Sequence, residues 1–323
     1  MHGAHPRGGY RGRPQLGAQG WRPLYEAGRV RCLVGRQGIV SGIELLLDTD
    51  IGGDIDDAWA LAACISHPDI ELVGVTTVHG DTEVRAALAR LLLKKADVEV
   101  EVVAGTRDAL DRIVPLQRLC YADVLGPDEA GLKRGRTDAI PFMARMVQEH
   151  DRLVLCAIGP LTNVARFALE FPEEFSEVSR LVLMCGHLLP GMRRPEHNAG
   201  ADPRATQIVL ATEVPKYLVG LNVTLRCRLT EEDIEVLQGK GSPLAETLHR
   251  MTRLWQRKTG GVPIMHDPLA VLSAVEGGLV RFEPMRIEAD EMGRMRRSEG
   301  EPNAHVAVDC DPERLKRVLL ELI

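Results

Sequence analysis

The chain has 323 residues, 45% apolar and 27% charged, with a formal net charge of −6. That composition suits an α/β protein with a large core, as one domain or two. The charge is uneven, because residues 1–42 carry seven Arg and one acid, Glu26, leaving a net −12 for the rest. An acidic body argues against nucleic acid as a partner, and no apolar run reaches the roughly eighteen residues of a membrane span.

The Gly/Arg-rich segment 1–42 has no apolar stretch like that of a secretory signal. A disordered extension is expected there, followed by a catalytic domain over 43–323. The seven cysteines (Cys32, Cys64, Cys120, Cys156, Cys185, Cys227 and Cys310) include no CxxC pair, and several lie in apolar runs. They read as reduced core residues of a cytoplasmic protein, not as a disulfide framework.

The ordered pattern begins at Ile43-Glu44-Leu45. The run Leu45-Leu46-Leu47 reads as a strand that feeds Asp48-Thr49-Asp50-Ile51-Gly52-Gly53-Asp54-Ile55-Asp56-Asp57, a turn holding most of the local charge. A helix is expected over 58–66, stopped by Pro68. A buried strand over 71–78 follows, then a His79-Gly80-Asp81 turn, a helix over 82–95 and a strand over 98–104. Regularity breaks down over 105–136, where Gly and Pro are scattered; a loop of this length reads as a functional lid. Further along come helices over 139–149 and 161–170, strands over 152–158, 180–184 and 216–220, and a second irregular stretch over 186–201. Asp202-Pro203 opens a helix with an acid cap and Pro in the first turn. Helices near 230–238 and 243–258, the segment Met265-His266-Asp267-Pro268, a strand near 304–308 and a helix from Pro312 complete the chain. Alternating strands and helices imply a single open, mostly parallel sheet flanked by helices, with the site at the carboxyl ends of the strands.

Five carboxylates in ten residues need an offset: a hard cation, raised pKa values or exposure to water. Asp48 and Asp50 share one face at a strand end, while Asp56 and Asp57 begin a helix, where acids suit the dipole. Simple capping accounts for the second pair but not for the first. With only oxygen ligands nearby, calcium or magnesium is expected over zinc. Asp267 is able to complete the site, although Asp at a helix start is also an ordinary cap. Glu196 and Asn198, two apart in the irregular stretch, read by themselves as surface loop.

Five ordered motifs resemble the inosine-uridine-preferring nucleoside hydrolases over about 44–315. They are the aspartate loop, Thr76-Thr77-Val78-His79-Gly80-Asp81, Ile158-Gly159-Pro160-Leu161-Thr162-Asn163, Glu196-His197-Asn198 with Asp202-Pro203, and His266-Asp267-Pro268-Leu269-Ala270-Val271. The resemblance implies hydrolysis of a ribonucleoside to free base and ribose, one Ca²⁺ ion, and a homodimer or homotetramer. It also implies residue roles. Asp50 would be calcium ligand and base for the attacking water. Asp57, Asp267 and the backbone carbonyl of Ile158 would be further ligands. Asp56, Glu196, Asn198 and Asp81 would lie at the ribose, and Asp48 would orient the loop from behind. The leaving base needs a proton or a stacking wall, and His266 is the natural donor, although a structural histidine reads equally well there.

The chain departs from the commonest family pattern in four places. Five residues, not three, separate Asp50 from Asp56, and Asp54 is an extra acid. Asp81 replaces the usual Asn. The 105–136 loop offers Tyr121 but no His, and Arg193-Arg194 precede Glu196 where an apolar lead-in is expected. Two other readings compete. Asp48-Thr49-Asp50 also matches the DxD of magnesium-dependent phosphatases of the haloacid dehalogenase type, though the extra acid pair fits that chemistry poorly. A calcium-stabilised protein that binds ribosides without cutting them would keep the same ligands.

Overall fold

The structure, a computed structural model, describes residues 42–116 and 118–323; the extension expected over 1–42 lies, apart from Gly42, outside the described residues. Leu45, Leu46 and Leu47 are wholly buried because β1 (Ile43–Thr49) runs through the middle of the sheet between two parallel neighbours. Leu45 and Leu47 enter one core and Leu46 the other, the two-residue period of a strand covered on both faces.

After β1 come α1 (Asp56–Ser66), β2 (Ile70–Thr77), α2 (Thr82–Ala96), β3 (Val102–Ala104), α3 (Ala139–Glu149), β4 (Val154–Ala157), α4 (Thr162–Glu170), α5 (Pro172–Ser176) and β5 (Arg180–Leu183). The second half contains α6 (His197–Ala201), α7 (Pro203–Ala211), β6 (Lys216–Leu218), α8 (Leu221–Thr224), α9 (Glu231–Glu235), α10 (Pro243–Thr259) and α11 (His266–Ser273). It closes with β7 (Val280–Ala289), β8 (Met295–Ser298), β9 (Ala304–Cys310) and α12 (Pro312–Leu322). The sheet order is β3-β2-β1-β4-β5-β6-β9-β7-β8. All pairs are parallel except β7 with β9 and β7 with β8. One face packs on Trp59, Leu88, Leu248, Leu269 and Leu315 from α1, α2, α10, α11 and α12. The other packs on Phe142, Phe167 and Val209 from α3, α4 and α7.

Several boundaries differ from expectation. The strand expected over 98–104 shrinks to β3, because Asp97 turns left-handed (φ 56°) to cap α2 and Val98 N–H still donates to the Leu93 carbonyl. Strands β7 and β8 have no counterpart in the sequence reading, since Arg and Glu interrupt the apolar pattern and Pro284 argues against a strand. Pro284 is tolerated because β8 pairs only with Arg286–Ala289, leaving β7 a single neighbour at that level. The irregular stretch over 186–201 ends in the short helix α6.

Candidate active site

Strand order reverses between β1 and β4: β2 and β3 lie to one side of β1, β4 to β6 to the other. Chains leaving the carboxyl ends of β1 and β4 therefore diverge and open a crevice. A cavity of about 500 Å³ sits there, lined by Asp50, Asp56, Asp57, Asp81, Ile158, Glu196, Asn198, His266 and Asp267. Asp48 lies beneath it, fully buried.

The aspartate loop is pinned from several directions. Gly52 adopts φ 118°, a conformation that strains other residues, and a Cβ there would come within 2.7 Å of Leu119. Gly52 N–H donates to the Tyr121 hydroxyl at 2.7 Å, and Tyr121 donates onward to the Asp54 carbonyl at 2.9 Å. Thr49 Oγ1 donates to Asp57 at 2.5 Å. Arg85, buried in α2, donates from Nε to the His79 carbonyl at 2.7 Å and from Nη1 to the Ile51 carbonyl at 3.0 Å. Its Nη2 lies 3.8 Å from Asp50 Oδ2.

The first-turn acids of α1 point inward, not to solvent: Asp56 and Asp57 are each 3% exposed and Asp267 is 4% exposed. One carboxylate oxygen from each of the three lies within 4.8 Å of the others. Burial, then repulsion from neighbouring carboxylates (Asp54 and Asp50 for Asp56, Asp50 and Asp56 for Asp57, Asp56 and Asp57 for Asp267), pushes all three well above the usual carboxylate range. The Asp267 N–H donates to Asp56 at 3.3 Å and Thr49 Oγ1 to Asp57 at 2.5 Å, two neutral donors against three carboxylates. Oxygen donors crowded in this way fit a hard divalent cation, which would lower all three pKa values together. Asp50 borders the same cavity but stands outside this trio.

Asp48 Oδ1 accepts hydrogen bonds from Thr76 Oγ1 and Asn163 Nδ2, both at 2.7 Å, so it ties β1 to β2 and α4. Burial raises its carboxyl to about 7, against the opposing pull of those two bonds. Asp54 is exposed on the cavity rim, where its side chain accepts from Ile55 N–H.

Glu196 and Asn198 are buried, not the surface loop their spacing first suggests. Glu196 caps α6, accepting from the N–H groups of Gly186, Asn198 and Ala199. Asn198 Nδ2 donates to the carbonyls of Ile158 at 2.8 Å and Met184 at 3.0 Å. Asp81 caps α2 through Val84 N–H while its side chain borders the cavity. His266 Nδ1 shares a 2.6 Å hydrogen bond with Thr224 Oγ1, and burial lowers its pKa to about 4, so it is neutral near pH 7.

Three groups at the cavity have no role in the sequence reading. Arg85 stands in the apolar run Val84-Arg85-Ala86-Ala87-Leu88, and a charge in such a run needs a buried partner; that was the available signal. His79 (φ 68°) and His197 face each other edge to face, 6.1 Å between ring centres, and both line the cavity. Nothing in their spacing, 118 positions apart, announces the pairing. The 105–136 loop does wall the cavity, through Val114, Pro115, Arg118, Leu119 and Cys120. Its Tyr121 is fully buried and braces the aspartate loop.

The model of one family, "Inosine-uridine preferring nucleoside hydrolase", matches residues 45–317. The chain belongs to this family. The pyrimidine-specific ribonucleoside hydrolase RihA of Enterobacter sp. is 31% identical over 248 residues, 71% of this chain and 78% of that protein. The non-specific ribonucleoside hydrolase RihC of Salmonella agona is 28% identical over 307 residues, covering 88% and 98%. Among solved structures, the purine-preferring ribonucleoside hydrolase from Gardnerella vaginalis superposes with a TM-score of 0.72 at 26% identity, covering 86% and 96%. This nucleoside hydrolase is accordingly an N-ribohydrolase acting on small-molecule nucleosides. The phosphatase and non-catalytic readings give way to that assignment. Among the described residues, no helix is long and apolar enough to cross a membrane.

Proposed function

We propose that this nucleoside hydrolase uses calcium to cleave ribonucleosides to free base and ribose, with Asp50 taking a proton from the attacking water. The observation that carries the reading is the buried trio Asp56, Asp57 and Asp267 at the switch point, with Asp50 on the same cavity wall. Asp57, Asp267, Asp50 and the Ile158 carbonyl would hold the ion, all at the same cavity, and Asp56 is close enough to Asp57 and Asp267 to join them. The Ile158 carbonyl already accepts from Asn198 but keeps a second lone pair. Calcium held there would supply one thing, a lowered pKa for a water bound to it.

Glycosidic cleavage builds positive charge on the sugar, and the acidic cavity stabilises that charge most where it develops. Asp56, Glu196, Asn198 and Asp81 bind the ribose hydroxyls. Glu196 uses three backbone N–H groups to fix its carboxylate and retains acceptor capacity for a hydroxyl. Asp48 supports the loop from below. His266, neutral and oriented by Thr224, donates a hydrogen bond to the departing base.

The named relatives span pyrimidine-specific, non-specific and purine-preferring enzymes, so the reading stops at ribonucleosides as a class. The test is a panel of ribonucleosides scored for free ribose with and without a calcium chelator. Ribose release that ignores calcium removal throughout would refute the mechanism. We further place the enzyme in the cytoplasm as a homodimer or homotetramer. Free thiols at all six described cysteines support the compartment, the family resemblance supports the assembly, and light scattering on the purified chain measures it.

A further inference from the structure

We propose that Cys227 and Cys310 form an oxidisable dithiol, which a peroxide closes to a disulfide that slows the enzyme. The two residues are 83 positions apart, yet their sulfurs lie 3.8 Å from each other. They are the thiols within hydrogen-bonding reach of one another among the described residues. Cys227 lies in the turn just after α8, and Cys310 ends β9. Both therefore sit at element ends, where a shift of an ångström or two costs less than inside a helix or ladder.

The surroundings make the two thiols unequal. Arg226 Nη2 donates to Cys310 Sγ at 3.2 Å and to its carbonyl at 3.1 Å. A guanidinium beside a thiol favours the nucleophilic thiolate. The Cys227 hydrogen bond first, and Arg226 second, bring Cys310 down to about 7, whereas Cys227 is held far above its ordinary value. Cys310 retains 9% exposure against 2% for Cys227, so Cys310 is the more accessible residue of the pair.

The chemistry then has an order. The Cys310 thiolate attacks one oxygen of the peroxide, the O–O bond breaks, and Cys310 becomes a sulfenic acid as hydroxide departs. The Cys227 thiol attacks that sulfur, the S–S bond forms, and the S–O bond breaks to release water. Two thiols and one peroxide yield one disulfide and two waters. Bond formation draws the sulfurs from 3.8 Å to about 2.05 Å, which moves the 227 turn or the end of β9.

That turn carries part of the active site. The Cys227 carbonyl accepts from Met265 N–H at 2.7 Å, and Arg228 bridges to Ile264. Thr224, three residues before Cys227, holds His266. Displacing this turn shifts the segment that presents His266 and Asp267 to the cavity. The activity consequence rests on the hydrolase reading; the disulfide itself does not.

The test treats the full chain with hydrogen peroxide and maps the non-reduced digest by mass spectrometry, alongside ribose release. A peptide joining residues 227 and 310, two hydrogens lighter, is expected. Turnover should fall roughly tenfold, the scale of a 1.4 kcal/mol change in barrier, and return with a thiol reductant. Cys227→Ser should instead trap a sulfenic acid on Cys310 that a dimedone probe labels, and Cys310→Ser should keep its activity under peroxide. Absence of the joined peptide, a joined peptide with undiminished turnover, or equal loss of turnover in Cys310→Ser would each overturn the proposal. Should the serine variants fail to fold, the wild-type peptide map and its reversal decide the question. An enzyme that releases no ribose even when reduced fails the hydrolase reading instead, a result visible before any oxidant is added.

Discussion

Arg85 Nη2 stands 3.8 Å from Asp50 Oδ2, and both side chains are nearly excluded from solvent. The same guanidinium satisfies the carbonyls of Ile51 and His79, so one cation joins the aspartate loop to the turn after β2. Replacing it with Met leaves the buried Ile51 carbonyl and the half-buried His79 carbonyl without donors, and Asp50 without its positive neighbour. A loss of about 3 kcal/mol is expected, the low end for breaking a buried pair. Arg85→Lys keeps the charge but loses the fork, so it should fall between. Urea unfolding orders the three proteins; equal midpoints would remove Arg85 from the loop's support.

Asp50→Asn tests the base directly. Turnover should drop by at least several orders of magnitude, because the base and one ion ligand fail together. The fold should survive, since Arg85 keeps its bonds to the Ile51 and His79 carbonyls and the change removes one like charge from a crowded acidic cluster. Ribose release and the thermal melting curve measure the two effects separately.

A cation that binds only the folded chain raises its stability by mass action, by about 2.7 kcal/mol at a hundredfold excess over Kd. For a domain of this size that is a rise of about 5 °C in melting temperature. Calcium should produce it in the wild type, and Asp57→Asn and Asp267→Asn should abolish it. Asp54→Asn should keep it, because Asp54 sits exposed on the rim and its carboxylate accepts from Ile55 N–H. Differential scanning in calcium and in chelator tests all four proteins; loss of the shift in Asp54→Asn would return that residue to the ion.

Tyr121→Phe removes the acceptor for Gly52 N–H and the donor to the Asp54 carbonyl at a fully buried position. Leaving such groups unpaired costs about 1–3 kcal/mol. The urea midpoint should fall with an unchanged slope, and an unaltered midpoint would show that the 105–136 loop braces the aspartate loop without this bond.

Local signals carried a large part of the molecule. The Leu45-Leu46-Leu47 run, the acids that follow it and the alternation of strands with helices are short-range patterns, and they led to the parallel sheet and to the polar clusters at its strand ends. The ordered motifs did the same for the family, because residue identities at fixed spacing survive in sequence. Tertiary structure decided which of those groups meet. It drew Asp56 into the trio with Asp57 and Asp267, turned Glu196 into a cap on its own helix, and brought Arg85 to Asp50. It also folded Tyr121 under Gly52 and set Cys227 against Cys310. Each of these depends on where separate elements pack, through long-range burial and hydrogen bonding that no local spacing encodes. Strands β7 and β8 belong with them, since Pro284 is acceptable only where β7 lacks a second neighbour.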